Sequence, residues 1–283
     1  MQTVCLIAPH NKEADCVARR LNPGEVAASH REKTLKLEYV PLLHVQRGLY
    51  RIPRGSERFR AYLETMVDSQ TRDLELPLVA MNPMGKDHVP TLLDALLELD
   101  ADGVAARVVA DAGPRLAHVE GEFKMTLVVA DDAGGGWTNR YFSEFSHRFE
   151  TKPYHKRGWL TSLLWTSEAP SAQTVREETL MTLYRAAHIQ QHSFAQTLRE
   201  MLAQEGFAMA MAGCARPALD VDELAYTREV IASYLDAKDQ PALMACLFGD
   251  KAADSLGYQP LGLSERAGLA LALYDVRLHC PER

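Results

Sequence analysis

The chain has 283 residues, of which 47% are hydrophobic and 24% charged, and its formal net charge at pH 7 is −7. This composition is ordinary for a globular protein that buries a full core. The acidic balance argues against a general nucleic-acid binder, which normally has a basic surplus. No apolar run approaches the roughly 20 residues needed to cross a bilayer, so we expect neither nucleic acid nor a membrane as partner.

The cysteines and the N-terminus indicate a cytoplasmic protein. The five cysteines are an odd number, are widely spread and include no Cys-x-x-Cys pair. This pattern is typical neither of a disulfide framework nor of a zinc knuckle, and it predicts reduced thiols. The first ten residues lack the basic start and the long apolar middle of a secretory signal peptide.

Strands and helices are predicted to alternate over the first 212 residues, because runs of β-formers alternate with segments of helical periodicity. Strands are expected at residues 3–8, 35–45, 76–81, 125–130, 159–165 and 207–211. Helices are expected at residues 56–68, 87–99, 104–116, 138–149 and 172–204. Such alternation favours an α/β fold with three layers, in which helices cover both faces of a mostly parallel sheet.

The chain after residue 212 has helical signals only. Asp220 followed by Glu223 is typical of a helix start, and Gly249 is typical of a helix end. Ser264 is placed to cap a last helix at residues 265–279. We therefore predict an α/β domain at 1–212 and an all-helical segment at 213–283. This segment could be a cap packed on the sheet or a separate domain.

Three predicted strands share one pattern: each is followed by a polar turn and then by an amphipathic helix. The strands at 76–81, 125–130 and 159–165 lead into turns at 82–88, 131–140 and 166–171. The carboxyl ends of parallel strands meet at one edge of the sheet, where open α/β folds bind ligands. The sequence therefore predicts that the three turns are neighbours and form the functional site.

The first turn contains groups suited to an anion. Asn82 and Gly85 lie where the strand turns into a helix, and backbone N–H groups at a helix start attract negative charge. Lys86 adds a positive charge, and His88 adds an imidazole that can donate or accept a proton. The alternative is an ordinary turn in which Asp87 only caps the helix. The P-loop motif is absent.

The second and third turns add carboxylates and an arginine. Asp131 and Asp132 suit either a divalent cation or an acid–base pair. Gly135 lies in a triple-glycine run that allows a ligand close to the backbone, and Arg140 can bind phosphate or carboxylate with its guanidinium fork. Glu168 follows the third strand. The glycine run does not match a dinucleotide-binding fingerprint and could be a surface loop.

His188 and His192 lie one turn apart on the long predicted helix, which is the ligand spacing of zinc-binding helices. The zincin motif needs a glutamate directly after the first histidine, and Ile189 occupies that position. Helical geometry places both histidines away from the apolar face and on the side of Arg185 and Arg199. An exposed polar face is the simpler explanation of both histidines.

The sequence thus leaves three functional hypotheses. The first is an enzyme that binds a small anionic molecule, such as a phosphorylated one, at the sheet edge and catalyses transfer or hydrolysis. In it His88, Asp131 and Asp132 are catalytic, and a divalent cation is an optional cofactor. The second is a non-catalytic binding or scaffold protein that uses the same crevice. The third is a metal hydrolase that uses His188 and His192. Each of the three is compatible with a homo-oligomer.

Overall fold

The computed structural model describes residues 35–133 and 139–279. Within them the strands are β1 (Lys36–Tyr39), β2 (Glu122–Ala130) and β3 (Trp159–Trp165). The helices before β3 are α1 (Leu43–Leu49), α2 (Ser56–Met66), α3 (His88–Glu98), α4 (Ala101–Ala112), α5 (Arg140–Phe149) and α6 (Lys152–Lys156). Those after it are α7 (Ala172–His192), α8 (Leu198–Ala212), α9 (Val221–Ala232), α10 (Gln240–Phe248), α11 (Asp250–Ser255) and α12 (Ala267–His279).

The three strands form one parallel sheet in the order β1-β2-β3. In the register of the central pair, Lys124 faces Trp159 at one end and Ala130 faces Trp165 at the other. From Met125 onward every residue of β2 is buried, as expected for a strand covered on both faces. The predicted fold class is confirmed: a parallel sheet with helices, followed by an all-helical segment.

The core divides into two clusters of buried residues. One lies around Leu127, Val129 and Leu163 and is packed by α1 and α3. The other extends from Met125 and Leu160 through α4, α5, α7 and α8 into the helices that follow residue 213. α12 packs against α8 there. The predicted boundary between an α/β domain at 1–212 and a helical segment at 213–283 stays a prediction.

The strand predicted at residues 76–81 is wrong. This segment lies in the core through Leu78 and Met81, but it runs as consecutive turns. The amide of Leu78 donates to the carbonyl of Leu76 at 2.9 Å, and the amide of Met81 donates to the carbonyl of Leu78 at 2.9 Å. These local bonds use the backbone groups that a sheet ladder would need, and Pro77 has no N–H to donate.

The strand predicted at residues 35–45 is shortened to β1. The amide of Val40 donates to Met125 at 2.8 Å, and the next residue is Pro41, which cannot continue the ladder. α1 begins two residues later, at Leu43. The strand predicted at residues 3–8 lies outside the described residues.

The helix predicted at residues 172–204 is two helices that fold back on each other. α7 ends at His192, where Ser193 has a φ of 69°, and α8 begins at Leu198 after the N-cap Thr197. Residues 207–211, predicted as a strand, continue α8. Packing of α8 along α7 outweighs the local β-propensity of Phe207.

The remaining differences concern helix ends. α4 begins at Ala101 and ends at Ala112, and a 3-10 turn that contains Pro114 follows it. Ser264 does not cap α12, because α12 begins only at Ala267, three residues later. Its hydroxyl donates to Glu223 at 2.6 Å. Across residues 35–133 and 139–279, none of the helices has both the length and the apolar character of a bilayer span.

Candidate functional site

The register of β2 and β3 brings two of the predicted turns together. Because Ala130 pairs with Trp165, the next residues, Asp131 and Thr166, emerge side by side from the same edge of the sheet. The turn at 82–88 follows the 76–81 loop, and its Asn82 side chain donates to Asp131 Oδ2 at 2.7 Å. The predicted convergence of the three turns is therefore present, although only two of them follow strands.

Asp131 and His88 form the centre of this edge. His88 Nε2 lies 2.7 Å from Asp131 Oδ1, while Asn82 holds the other carboxylate oxygen. The Asp131 side chain is 3% exposed and the His88 side chain 34% exposed. The carboxylate is therefore fixed inside the protein, and the imidazole that it orients reaches solvent.

The protonation state of this pair follows from its contacts. Burial would raise the pKa of Asp131, but hydrogen bonds from His88 and Asn82 outweigh it and lower the pKa below its usual value. An ionised carboxylate can only accept hydrogen bonds, so the proton between the two groups belongs to His88 Nε2. His88 Nδ1 is then the nitrogen that can take or give a proton.

Asp132 is held by the turn that follows β3. The Ser167 amide donates to Asp132 Oδ1 at 2.9 Å, and the Ser167 hydroxyl donates to Oδ2 at 2.7 Å. Thr166 Oγ1 lies 3.1 Å from one oxygen of Asp131 and 3.1 Å from one of Asp132, so its single proton can serve either. Apart from Thr166, which contacts both, the two neighbouring aspartates thus have different hydrogen-bond partners.

Arg140, the first residue of α5, completes the edge. Its Nη1 donates to Asp132 Oδ2 at 3.0 Å and to Ser167 Oγ at 2.9 Å, and its Nη2 donates to Glu168. The guanidinium lies 4.9 Å from the centre of the Trp165 ring, over its face, in a cation–π contact. Burial would lower the pKa of Arg140, but Glu168 and the other nearby carboxylates raise it overall.

The loop that supplies Asn82 is fixed from behind. The Tyr50 hydroxyl donates to the carbonyl of Asn82, and Arg58 lies 5.1 Å from the Tyr50 ring. A Cβ on Gly85 would lie 2.6 Å from Val89 Cγ2, and the Gly85 amide already donates to the carbonyl of Asn82 at 3.1 Å. The absence of a side chain at Gly85 is therefore explained by close packing.

The remaining predicted residues differ in how far they join this cluster. Lys86 is exposed and forms no salt bridge with any described residue. Gly135 lies in the 134–138 segment, outside the described residues. Asp87 occupies the N-cap position of α3, yet its side chain makes no capping hydrogen bond.

Metal-binding groups do not assemble in the part of the chain that the structure describes, where no cluster of three or more His, Cys, Asp or Glu side chains has suitable geometry. His188 and His192 are adjacent, with ring centres 4.4 Å apart. His188 also lies against Phe207 of α8 at 5.5 Å, and burial, together with His192, lowers its pKa to about 4. The expected exposed face is thus partly covered, and Arg185 on it is buried.

A buried ionic network continues inward from the site. Arg140 Nε lies 3.9 Å from Glu144, which also accepts two hydrogen bonds from Arg266, at 2.7 and 2.6 Å. Arg148 links Glu144 to Glu205 on α8. Arg185 on α7 donates to the same Glu205 at 2.6 and 2.9 Å. The network joins α5, α7, α8 and the C-terminal segment.

Sequence reasoning placed Thr166 and Ser167 in the third turn without giving them a role. It regarded Tyr50 and Arg58 as part of an arginine-rich surface segment and not of this site. Thr166 was detectable in principle, since it holds the same position after β3 that Asp131 holds after β2. Tyr50 directly follows α1 and Arg58 lies in α2, and no sequence spacing relates them to Asn82.

Comparison of the chain with protein-family models, with curated proteins and with solved structures finds no match. The geometry of the site itself therefore carries the functional inference.

Proposed function

We propose that the protein is an enzyme that binds a small anionic molecule at the carboxyl edge of its parallel sheet and uses His88 as general acid and base. The contact between His88 and Asp131 supports this most directly. A carboxylate that fixes one imidazole nitrogen leaves the other correctly oriented for proton transfer. Asn82 prevents the carboxylate from turning away.

Two cations are available for the anionic substrate. Lys86 is exposed two residues before His88. Arg140 is already bound to Asp132 and Glu168, but Glu168 is 39% exposed and can be displaced by a phosphate or carboxylate of the ligand. The reaction would be a transfer or a hydrolysis, in which His88 Nδ1 removes a proton from the attacking group.

A divalent cation would fit this proposal only through Asp132. Its two oxygens are occupied by Ser167 and Arg140, so a metal would have to displace the arginine. Substrate binding at Arg140 would free Asp132 for such a role. A divalent cation would therefore bind only together with the substrate.

The first experiment identifies a ligand and then tests His88. A thermal-shift screen with phosphorylated and carboxylated metabolites selects a binder, and turnover and Kd are then measured for the wild type, His88→Ala and Asp131→Asn. We expect His88→Ala to lower kcat by about 10²- to 10⁴-fold while Kd changes by only about threefold. His118→Ala, which removes an exposed histidine elsewhere, should change neither quantity.

Two results would count against the proposal. Unchanged kcat and Kd in both variants would exclude the His88–Asp131 pair as the reacting group. Tight binding without turnover of any bound compound would instead favour the non-catalytic binding protein. The metal-hydrolase alternative requires zinc, iron or manganese to co-purify with the protein and to be lost in His188→Ala.

A further inference from the structure

A cavity lies away from the sheet edge, beside the first half of β3. Its volume is about 320 Å³, and it is enclosed by β3, α5, α6, α7 and the 77–80 loop. This volume is at the small end of the range for cavities that hold small organic ligands. The cavity shares no lining residue with the cluster of Asp131, His88 and Arg140.

The walls are mainly apolar. Trp159, Leu160 and Leu163 of β3 form one side, all of them buried. Val79 and Phe142 also line the cavity, although they are 49% and 41% exposed, so they lie where it opens to solvent. Exposed apolar side chains at an opening are what an apolar ligand would cover.

The polar lining has hydrogen-bonding capacity that the described residues do not use. Thr151 Oγ1 and Thr161 Oγ1 are both buried and have no protein partner. Buried hydroxyl groups are normally hydrogen-bonded, and a ligand oxygen would satisfy them.

Arg185 gives the cavity a cationic hydrogen-bond donor. Glu205 takes its Nε and Nη2, which leaves Nη1 without an acceptor among the described residues. Arg185 therefore offers the cavity a guanidinium N–H donor. The carboxylate among the lining residues, Glu150, is exposed and accepts from the Ser146 hydroxyl.

The nearby histidines add no positive charge at neutral pH. Burial and then Arg185 lower the pKa of His155 to about 4, so that imidazole is neutral at pH 7. His147 donates to the backbone of Thr161, and burial with Arg185 lowers its pKa to about 3. Burial raises the pKa of the neighbouring Glu178 to about 7, so Glu178 is only partly ionised at pH 7.

We infer that this cavity binds a small monocarboxylate with an apolar body, whose carboxylate contacts Arg185 and Thr161 and whose body lies along β3 and Phe142. A monocarboxylate combines the two features that the lining requires: one anionic acceptor at the inner end and an apolar body at the opening. The inference goes beyond the sheet-edge function and does not depend on it.

The test is calorimetric titration of the full chain with 3-phenylpropanoate, and with 3-phenylpropanamide as the neutral counterpart. We expect saturable one-to-one binding of the carboxylate and at least about tenfold weaker binding of the amide. Thr161→Val keeps the branched shape and removes the hydroxyl, and it should weaken carboxylate binding about tenfold.

A pair of surface substitutions avoids the risk of unfolding. Val79→Glu places a like charge at the opening and should weaken carboxylate binding severalfold without changing amide binding. Val221→Glu makes the same change at a residue that is 73% exposed on α9 and should have no effect. Binding should be unchanged in His88→Ala, since His88 does not line the cavity.

The inference is overturned if neither probe binds, or if the amide binds as tightly as the carboxylate. It is also overturned if Thr161→Val and Val79→Glu leave the affinity unchanged. Loss of binding in His88→Ala would assign the probe to the sheet edge, which would overturn the cavity assignment while supporting the proposed function.

Discussion

At the scale of single residues, the chemistry of the site depends on which side chains are already paired. Asp131 and Asp132 are adjacent in sequence, yet one orients an imidazole and the other a guanidinium. Their residue types and their position after a strand were visible in the sequence. Their partners were not, because His88 and Arg140 reach them from two different helices, and this requires the fold.

Gly85 allows a direct test of packing at the site. Gly85→Ala should lower the free energy of unfolding by about 1–3 kcal/mol, because the new Cβ would lie 2.6 Å from Val89 Cγ2 and 3.1 Å from the Tyr50 hydroxyl. Urea denaturation monitored by circular dichroism measures this difference. In contrast, Gly48→Ala in α1 meets no atom within 4 Å and should stabilise the protein by about 0.5–1 kcal/mol. Equal effects at the two glycines would contradict this account of Gly85.

At the scale of elements, sequence signals correctly predicted the strand and helix bounds that depend on neighbouring residues. β3 has the predicted bounds, α2 and α3 agree to within one or two residues, and Asp220 caps α9 by accepting from the amide of Glu223. The predictions that were wrong concern features that depend on contacts between residues far apart in the sequence. The 76–81 segment has the composition of a strand, but no neighbouring strand pairs with it in the described residues, and the break between α7 and α8 is fixed by their mutual packing.

The start of α8 is stabilised by a reciprocal cap. The Glu200 amide donates to Thr197 Oγ1 at 3.3 Å, and the Thr197 amide donates to the Glu200 carboxylate at 3.1 Å. Thr197→Ala should therefore lower the free energy of unfolding by about 1 kcal/mol. Thr65→Ala is the matched control, because Thr65 lies inside α2 and bonds only back to Ala61, so alanine there should be neutral or slightly stabilising. Both values come from thermal or urea denaturation. A Thr197→Ala protein as stable as the wild type would show that packing alone holds the start of α8.

At the scale of the whole molecule, buried ionisable groups link stability to pH. The pKa of His147 is lowered to about 3 and that of His155 to about 4, mainly by burial. Burial would raise the pKa of Glu205, but Arg185 and Arg148 lower it to about 2. Glu178, with its raised pKa, acts in the opposite direction between about pH 4.5 and 7.

These shifts predict that the protein loses stability as the pH falls below about 6.5. Below that pH the unfolded chain protonates its histidines while the folded chain does not, and below about 4.5 the same holds for Glu205. His147→Gln should reduce the dependence between pH 4 and 6 by up to about 1.4 kcal/mol per pH unit. His118→Gln, at an exposed position, serves as the control. Urea titrations at several pH values measure the slope, and an unchanged slope in His147→Gln would contradict the assignment.

The contacts of α5 limit what truncated versions of this chain can reveal about its function. The helix whose first residue is Arg140 is held at Glu144 by Arg266, and the Tyr141 hydroxyl donates to Glu265 at 2.7 Å. Residues more than 120 positions later in the chain thus fix the helix that reaches the sheet edge. Cutting the chain after residue 212 would remove these anchors, and an inactive fragment of that kind would say nothing about where the chemistry takes place.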